Sequence, residues 1–138
     1  MVGGDPANPR HWPGYAELRW FDPPTRTARY FCGGTVVDAQ TVLTAAHCFR
    51  DASQEKGKWI DGSGKLLQVV LGAYDLGAVE DSNVFEVSEI QKHERYDAPS
   101  YANDIALIRL AKLWNGPLMR VALTEAAEPP PSGVVYVA

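Results

Sequence analysis

Several things are scarce in this chain, and each shortage excludes a class of protein. The 138 residues include only two cysteines and three histidines, and no apolar run approaches the ~20 residues that cross a bilayer. Against 17 Asp and Glu there are 13 Lys and Arg, a net charge of −4, and no stretch gathers the basic residues into a surface for nucleic acid. The first residues lack the basic and apolar regions of a signal peptide. We therefore expect one globular domain with no nucleic-acid partner, no membrane anchor and, as written, no export signal.

What the sequence does contain is typical of an all-β protein. Twelve glycines and ten prolines separate short runs rich in Val, Leu and aromatic residues, and no segment sustains a helical period. These runs predict strands at residues 15–21, 28–37, 41–45, 66–71, 84–91, 104–110 and 134–137. Many short strands with frequent turns favour a closed barrel or a sandwich.

Two strands carry patterns that indicate what covers them. Phe85, Val87 and Ile90 come close to the alternation of a strand with one buried face, which suits the wall of a barrel. Residues 105–108 are apolar without a break, which predicts a strand covered on both faces.

Two stretches are predicted to lack strands or helices. Residues 50–65 are rich in charge and glycine around an isolated Trp59-Ile60 pair, and we interpret them as an exposed loop. Residues 124–133 contain two glutamates and then three consecutive prolines, a composition typical of a linker.

Three motifs follow one another along the chain. They are Cys-Gly-Gly-Thr at 32–35, Leu-Thr-Ala-Ala-His-Cys at 43–48, and Asn-Asp-Ile-Ala-Leu-Ile-Arg-Leu at 103–110. In this order they resemble the trypsin-like (chymotrypsin-fold) serine proteases, and weaker similarities at 2–4, 13–15, 70–74 and 93–96 extend the resemblance over nearly the whole chain.

The resemblance implies a fold and a division into domains. It implies the six-stranded antiparallel Greek-key β-barrel that is the first of the two barrels of such a protease. Residues 1–133 would form this N-terminal barrel with its linker, and residues 134–138 would begin the second barrel.

By the same resemblance, His47 is the general base and Asp104 is the carboxylate that orients it. A serine hydroxyl is a weak nucleophile near neutral pH, so an imidazole must take its proton and later return it to the leaving amine. A carboxylate on Nδ1 holds the imidazole in the tautomer whose Nε2 accepts that proton. Apart from their motifs, His47 would be interpreted as a packed histidine and Asp104 as a turn residue before a strand.

The third member of the triad has no candidate in this sequence. In the family the nucleophile lies in a Gly-Asp-Ser-Gly-Gly motif after the aspartate, where this chain has only Ser132 in a turn-like Pro-Ser-Gly. Ser63, in Asp-Gly-Ser-Gly, precedes the aspartate, and we interpret it as part of a flexible turn.

These observations predict a serine-type endopeptidase to which this chain contributes His47 and Asp104 but no nucleophile, so that the chain alone is inactive. The expected partners are a polypeptide substrate and a C-terminal barrel that carries the serine. The alternative is a non-catalytic, protease-like module that binds proteins. A Gly-Asp-Ser-Gly-Gly motif in the downstream sequence of the parent gene would favour the enzyme, and its absence the binding module.

The resemblance also implies a disulfide between Cys32 and Cys48, and with it a secreted or periplasmic protein. Two buried thiols in a reducing compartment are the alternative. Neither the cysteines nor His11, His47 and His93 show the spacing of a zinc motif, so we expect no metal and no cofactor.

Overall fold

A computed structural model describes residues 3–121, and the predicted linker at 124–133 and strand at 134–137 lie outside them. The strands are β1 (Tyr15–Asp22), β2 (Thr27–Asp38), β3 (Thr41–Thr44), β4 (Ser53–Glu55), β5 (Lys58–Ile60), β6 (Leu66–Leu71), β7 (Val84–Lys92) and β8 (Ala106–Leu110). Short 3₁₀ helices lie at Pro9–His11, Ala46–Phe49 and Asp81–Asn83. Nowhere in residues 3–121 is a helix long and apolar enough to cross a membrane.

Six of the strands form a closed barrel. Neighbours run in the order β1-β2-β3-β8-β7-β6, every pair is antiparallel, and β1 also pairs with β6 to close the ring. Because β8 returns to lie beside β3, the order is that of a Greek key. The predicted fold class is confirmed.

The barrel closes around one apolar core because the inward positions of its strands are apolar. Along β1, Ala16, Leu18 and Trp20 are buried and alternate with more exposed residues, as a pleated strand with one covered face requires. On β7, Phe85 and Val87 are buried and Ile90 also packs against the core. The ladder is irregular between Val87 and Glu89, and this extra residue shifts the alternation so that Ile90 points inward.

The prediction of an unstructured loop at 50–65 was wrong. β4 and β5 form a hairpin within it, and β5 continues the sheet beyond β6. Its turn is formed by Lys56 and Gly57, both with positive φ (49° and 77°), the conformation that suits the twist of a tight hairpin. Trp59 packs against the barrel core, so the isolated aromatic residue anchors the hairpin.

The prediction that both faces of the strand at 105–108 are covered was also wrong for the described residues. The strand begins at Ala106, whose side chain is buried together with those of Ile108 and Leu110. Ile105 and Leu107 point the other way and are 42% and 41% exposed. A wall strand of a barrel has only its inner face in the core, so apolar residues on the outer face remain accessible.

Gly34 offers a test of how tightly β2 and β3 pack. A Cβ at Gly34 would lie 2.8 Å from Cγ1 of Val42 and 2.9 Å from the carbonyl oxygen of Leu43. We expect Gly34→Ala to lower the free energy of unfolding by about 1–3 kcal/mol, measured by urea denaturation, because the backbone oxygen has little freedom to retreat. Gly33→Ala is the matched control, since its nearest contact would be 3.4 Å, and an equal loss in both variants would contradict the argument.

Candidate active site

His47 is held by the short 3₁₀ helix Ala46–Phe49 that follows β3. Ala46 and Phe49 are buried in the core on either side of it, and Cys48 forms a disulfide with Cys32 of β2, with the two Cα atoms 6.2 Å apart. The predicted disulfide is confirmed. These anchors fix the backbone of His47, while its side chain remains 46% exposed.

Asp104 lies in the loop just before β8. The preceding Asn103 has a φ of 56°, and its side-chain amide donates a hydrogen bond to the carbonyl oxygen of Arg95 at 3.0 Å. Asparagine tolerates this left-handed conformation better than most residues do, so it both turns the chain and closes the loop ahead of Asp104.

The pairing of β3 with β8 brings His47 and Asp104 together although they are 57 residues apart in sequence. Oδ2 of Asp104 lies 2.7 Å from Nδ1 of His47, and Oδ1 accepts a hydrogen bond from the backbone N–H of His47 at 2.8 Å. An ionised carboxylate can only accept, so in the neutral imidazole Nδ1 carries the proton and Nε2 keeps its lone pair. The imidazole is therefore oriented with its basic nitrogen away from the carboxylate.

The surroundings of Asp104 favour its ionised form. Partial burial raises the pKa of the carboxyl group, but the hydrogen bonds from the side chain and backbone of His47 outweigh it, and the net pKa lies below the ordinary 3.8. Because the pKa of Asp104 is lower in the folded chain than in the unfolded chain, the ionised carboxylate stabilises the fold. This stabilisation is complete above the unfolded-state pKa. It is lost as the pH falls through the lower, folded-state value.

The titration of Asp104 provides a direct test of this contact. In His47→Ala the side-chain donor is gone and the backbone donor remains, so we expect the pKa of Asp104 to rise relative to the unmodified chain. Carboxyl-carbon NMR during an acid titration measures it. His93→Ala is the control, because Nδ1 of His93 accepts from the backbone of Arg95 and not from Asp104. An unchanged Asp104 pKa in His47→Ala would refute the assigned cause.

Tyr101 also contributes to the surroundings of His47, and no sequence pattern singled it out. Its ring meets the imidazole edge-on, with centroids 6.0 Å apart and an interplanar angle of 81°. The side chain is 55% exposed, and its φ of 57° is uncommon for an aromatic residue. Tyr101 thus forms one wall beside the imidazole.

No serine hydroxyl in residues 3–121 is hydrogen-bonded to His47. Ser63 donates its hydroxyl to Oδ1 of Asp61 at 2.8 Å, and that oxygen also accepts the backbone N–H groups of Ser63 and Lys65. Ser63 is therefore part of a tight turn closed by Asp61. Ser132 lies outside the described residues.

A sequence model described as Trypsin matches residues 1–138. The chain belongs to the trypsin family of serine proteases. Brachyurin of Leptuca pugilator is 37% identical over 111 residues, which are 80% of this chain and 41% of brachyurin. Granzyme-like protein 2 of Rattus norvegicus is 30% identical over 130 residues, 93% of this chain and 46% of that protein.

A solved structure has a similar fold. The structure titled human heparin binding protein is similar with a TM-score of 0.68 and 31% identity, over 94% of this chain and 52% of that one. The chain thus spans less than half the length of the two curated trypsin-family relatives it matches.

Proposed function

We propose that the chain is the base-bearing part of a serine endopeptidase, with His47 as the general base and Asp104 as the group that orients it. The observation that carries the proposal is the double contact of one carboxylate with the side chain and the backbone of one histidine, at 2.7 and 2.8 Å, in a chain of the trypsin family. A structural histidine needs no such contact, whereas a proton acceptor needs its tautomer fixed.

In this proposal, Nε2 of His47 takes the proton from a serine hydroxyl as the oxygen attacks the scissile carbonyl carbon. The resulting imidazolium is stabilised by the ionised Asp104 on Nδ1, and it then gives its proton to the leaving amine. The acyl-enzyme is hydrolysed by water, which His47 activates in the same way. A low pKa of Asp104 suits this role, because the carboxylate must remain charged while the imidazolium forms.

The nucleophile in this proposal comes from a second barrel, as in the family. Residues 1–133 are assigned to the first barrel with its linker, and residues 134–138 to the start of the second. The engagement of Ser63 with Asp61 supports a nucleophile from elsewhere, and the exposed Ile105 and Leu107 are apolar surface that a second domain can cover. The disulfide supports a secreted or periplasmic location, where such bonds persist.

Labelling with a fluorophosphonate, which reacts with an activated serine, tests the proposal. We expect the chain alone to remain unlabelled. A second-barrel polypeptide with a Gly-Asp-Ser-Gly-Gly motif should bind the chain, become labelled at its serine, and cleave a peptide substrate. His47→Ala is the control and should leave binding intact but abolish labelling. Stoichiometric labelling of the chain alone, or an assembled complex that never reacts, would refute the proposal.

A second candidate is a binding protein that performs no catalysis. It is favoured by the similarity to a structure whose title names it as a heparin binding protein. An assembled, folded complex that binds heparin or a polypeptide but fails to react with the fluorophosphonate would support this candidate instead.

A further inference from the structure

A large cavity lies between three segments of the barrel: the residues before β1, those after β6 and those after β8. Its volume is about 730 Å³, within the ~300–1,000 Å³ of ordinary ligand pockets. Neither His47 nor Asp104 lines it, so it is separate from the proposed active site. We call it the aromatic groove, because its wall includes Trp12, Tyr15, Tyr74, Leu76, Trp114 and Pro117.

Two polar groups of the aromatic groove are hydrogen-bonded within its own wall. The hydroxyl of Tyr15 donates to Oε1 of Glu17 at 2.6 Å, and Nε1 of Trp114 donates to the carbonyl oxygen of Pro117 at 3.0 Å. Burial and the hydrogen bond to Glu17 raise the pKa of Tyr15 to about 12, so its ring stays neutral. The groove therefore offers ring faces to whatever binds there, and it suits an apolar occupant.

Part of this apolar wall is exposed to solvent in residues 3–121. Tyr74 is 74% exposed and Leu76 is 38% exposed, although both side chains belong to one concave surface. Contiguous apolar surface of this kind marks a place where another segment or molecule binds. The question is then which occupant covers it.

The described chain ends beside the aromatic groove. Pro117 is part of its wall, and two residues later the backbone N–H of Met119 donates to the carbonyl oxygen of Val36 at 2.9 Å. Gly14, which also lines the groove, permits this approach, because a Cβ there would lie 3.1 Å from the nitrogen of Met119. Val121, the last described residue, therefore lies within about 7 Å of a point fixed against the groove.

Residues 122–138 continue from that point and contain one suitable occupant. Their longest apolar run is Val-Val-Tyr-Val at 134–137, whereas the residues before it are rich in Glu, Ala and Pro. Thirteen peptide units separate Val121 from Val134 and span up to about 45 Å, while a domain of this size has a radius of gyration of roughly 14 Å. The run is therefore long enough in its tether to reach the groove.

The tether also favours this run over a separate molecule. A short flexible connection gives the tethered segment an effective concentration on the order of 1 mM. A second copy of the chain, or a separate polypeptide, at about 1 μM would need contacts roughly 10³-fold tighter to displace it.

We propose that the apolar run at 134–137 binds in the aromatic groove of its own chain. This binding covers Tyr74 and Leu76 with apolar side chains. Residues 134–138 are assigned above to the start of a second barrel, so the groove would fix where that barrel begins relative to the first. The inference rests on the groove and the tether, and it is independent of the catalytic roles of His47 and Asp104.

Photo-crosslinking within the full chain tests the proposal. With Tyr136 replaced by benzoylphenylalanine, irradiation of a dilute sample should give intramolecular crosslinks to Tyr74, Leu76 or Trp114, located by tandem mass spectrometry. The same group in place of Ala127, in the tether, is the control and should crosslink to these residues far less. Leu76→Asp should remove most of the crosslinks from position 136, because a carboxylate in an apolar contact is costly. Leu113→Asp is the matched control, since Leu113 is 63% exposed and outside the groove, and it should leave them unchanged.

The indole N–H signals of the tryptophans give a second measurement without a crosslinker. The double variant Val135→Asp, Tyr136→Asp should shift the NMR signals of Trp12 and Trp114 in the groove. It should leave those of Trp20 and Trp59, which pack in and against the barrel core, in place and so show that the barrel remains folded. Ala126→Asp with Ala127→Asp adds the same charge to the tether and should shift none of the four.

Three outcomes would overturn the proposal. Crosslinks from position 136 to Ile105 or Leu107 would place the run on the other apolar surface. Crosslinks between isotope-labelled and unlabelled chains would make a second copy the occupant. Groove crosslinks that are absent until a second-barrel polypeptide is added would make that partner responsible. None of these results depends on an activated serine, so they are distinguishable from a failure of the fluorophosphonate test.

Discussion

Asp104→Asn is expected, under the proposed function, to reduce kcat of the chain combined with a second barrel by ~10⁴-fold, because the geometry is kept while the tautomer of the histidine is reversed. The reason lies in the two contacts of the carboxylate. If the amide oxygen of the introduced asparagine still accepts the hydrogen bond from the backbone N–H of His47, the amide NH₂ group faces Nδ1 of His47. Nδ1 must then accept a hydrogen bond from this NH₂ group. The ring proton moves to Nε2, and the imidazole can no longer take a proton from serine.

The tautomer can be observed without a substrate. Nitrogen-15 NMR of His47 in the chain alone should show the neutral ring protonated at Nδ1, and protonated at Nε2 in Asp104→Asn. Asp97→Asn is a suitable control, because Asp97 accepts from Ser100 in the same loop and does not contact His47. Full activity in Asp104→Asn, or an unchanged tautomer, would contradict the orienting role.

Loss of the disulfide is expected to cause the largest change in stability. The bond closes a loop between positions 16 apart in sequence, and loops of this length are estimated to gain about 3 kcal/mol from the reduced entropy of the unfolded chain. We expect the double variant Cys32→Ser, Cys48→Ser to lower the free energy of unfolding by about that amount, measured by urea denaturation.

The natural chain, with its disulfide reduced by a water-soluble phosphine, is the matched comparison. It has the same cross-link removed and the original side-chain volumes, so it should unfold at nearly the same denaturant concentration as the serine variant. If both are as stable as the oxidised chain, the disulfide does not stabilise this barrel.

The strands of the barrel could be predicted from sequence because alternation and turn residues are local signals. Predicted strands at 15–21, 28–37, 66–71 and 84–91 agree with β1, β2, β6 and β7 to within a residue at each end. The disulfide was predicted from a family resemblance and is confirmed. The structure brings His47 and Asp104 into contact, and their catalytic roles stay predictions.

What could not be predicted depends on contacts between distant segments. The β4–β5 hairpin is anchored by Trp59 against a core that local composition does not reveal. Leu107 is exposed because it lies on the outer face of the barrel wall. The unbroken apolar run around it had predicted a strand with both faces buried. Tyr101 reaches His47 only because the loop before Asp104 turns back, and nothing in its own residue type indicates this.

The long separation between His47 and Asp104 has a consequence for how the protein folds. Their contact depends on β3 pairing with β8, and because 56 residues lie between the histidine and the aspartate, this pairing must close a long loop. Barrels dominated by such distant pairings fold in milliseconds to seconds, far more slowly than helical bundles. Because the entropy of closing a long loop is lost before its contacts form, we expect the histidine and the aspartate to come together in this slow step and not during the formation of the local hairpins.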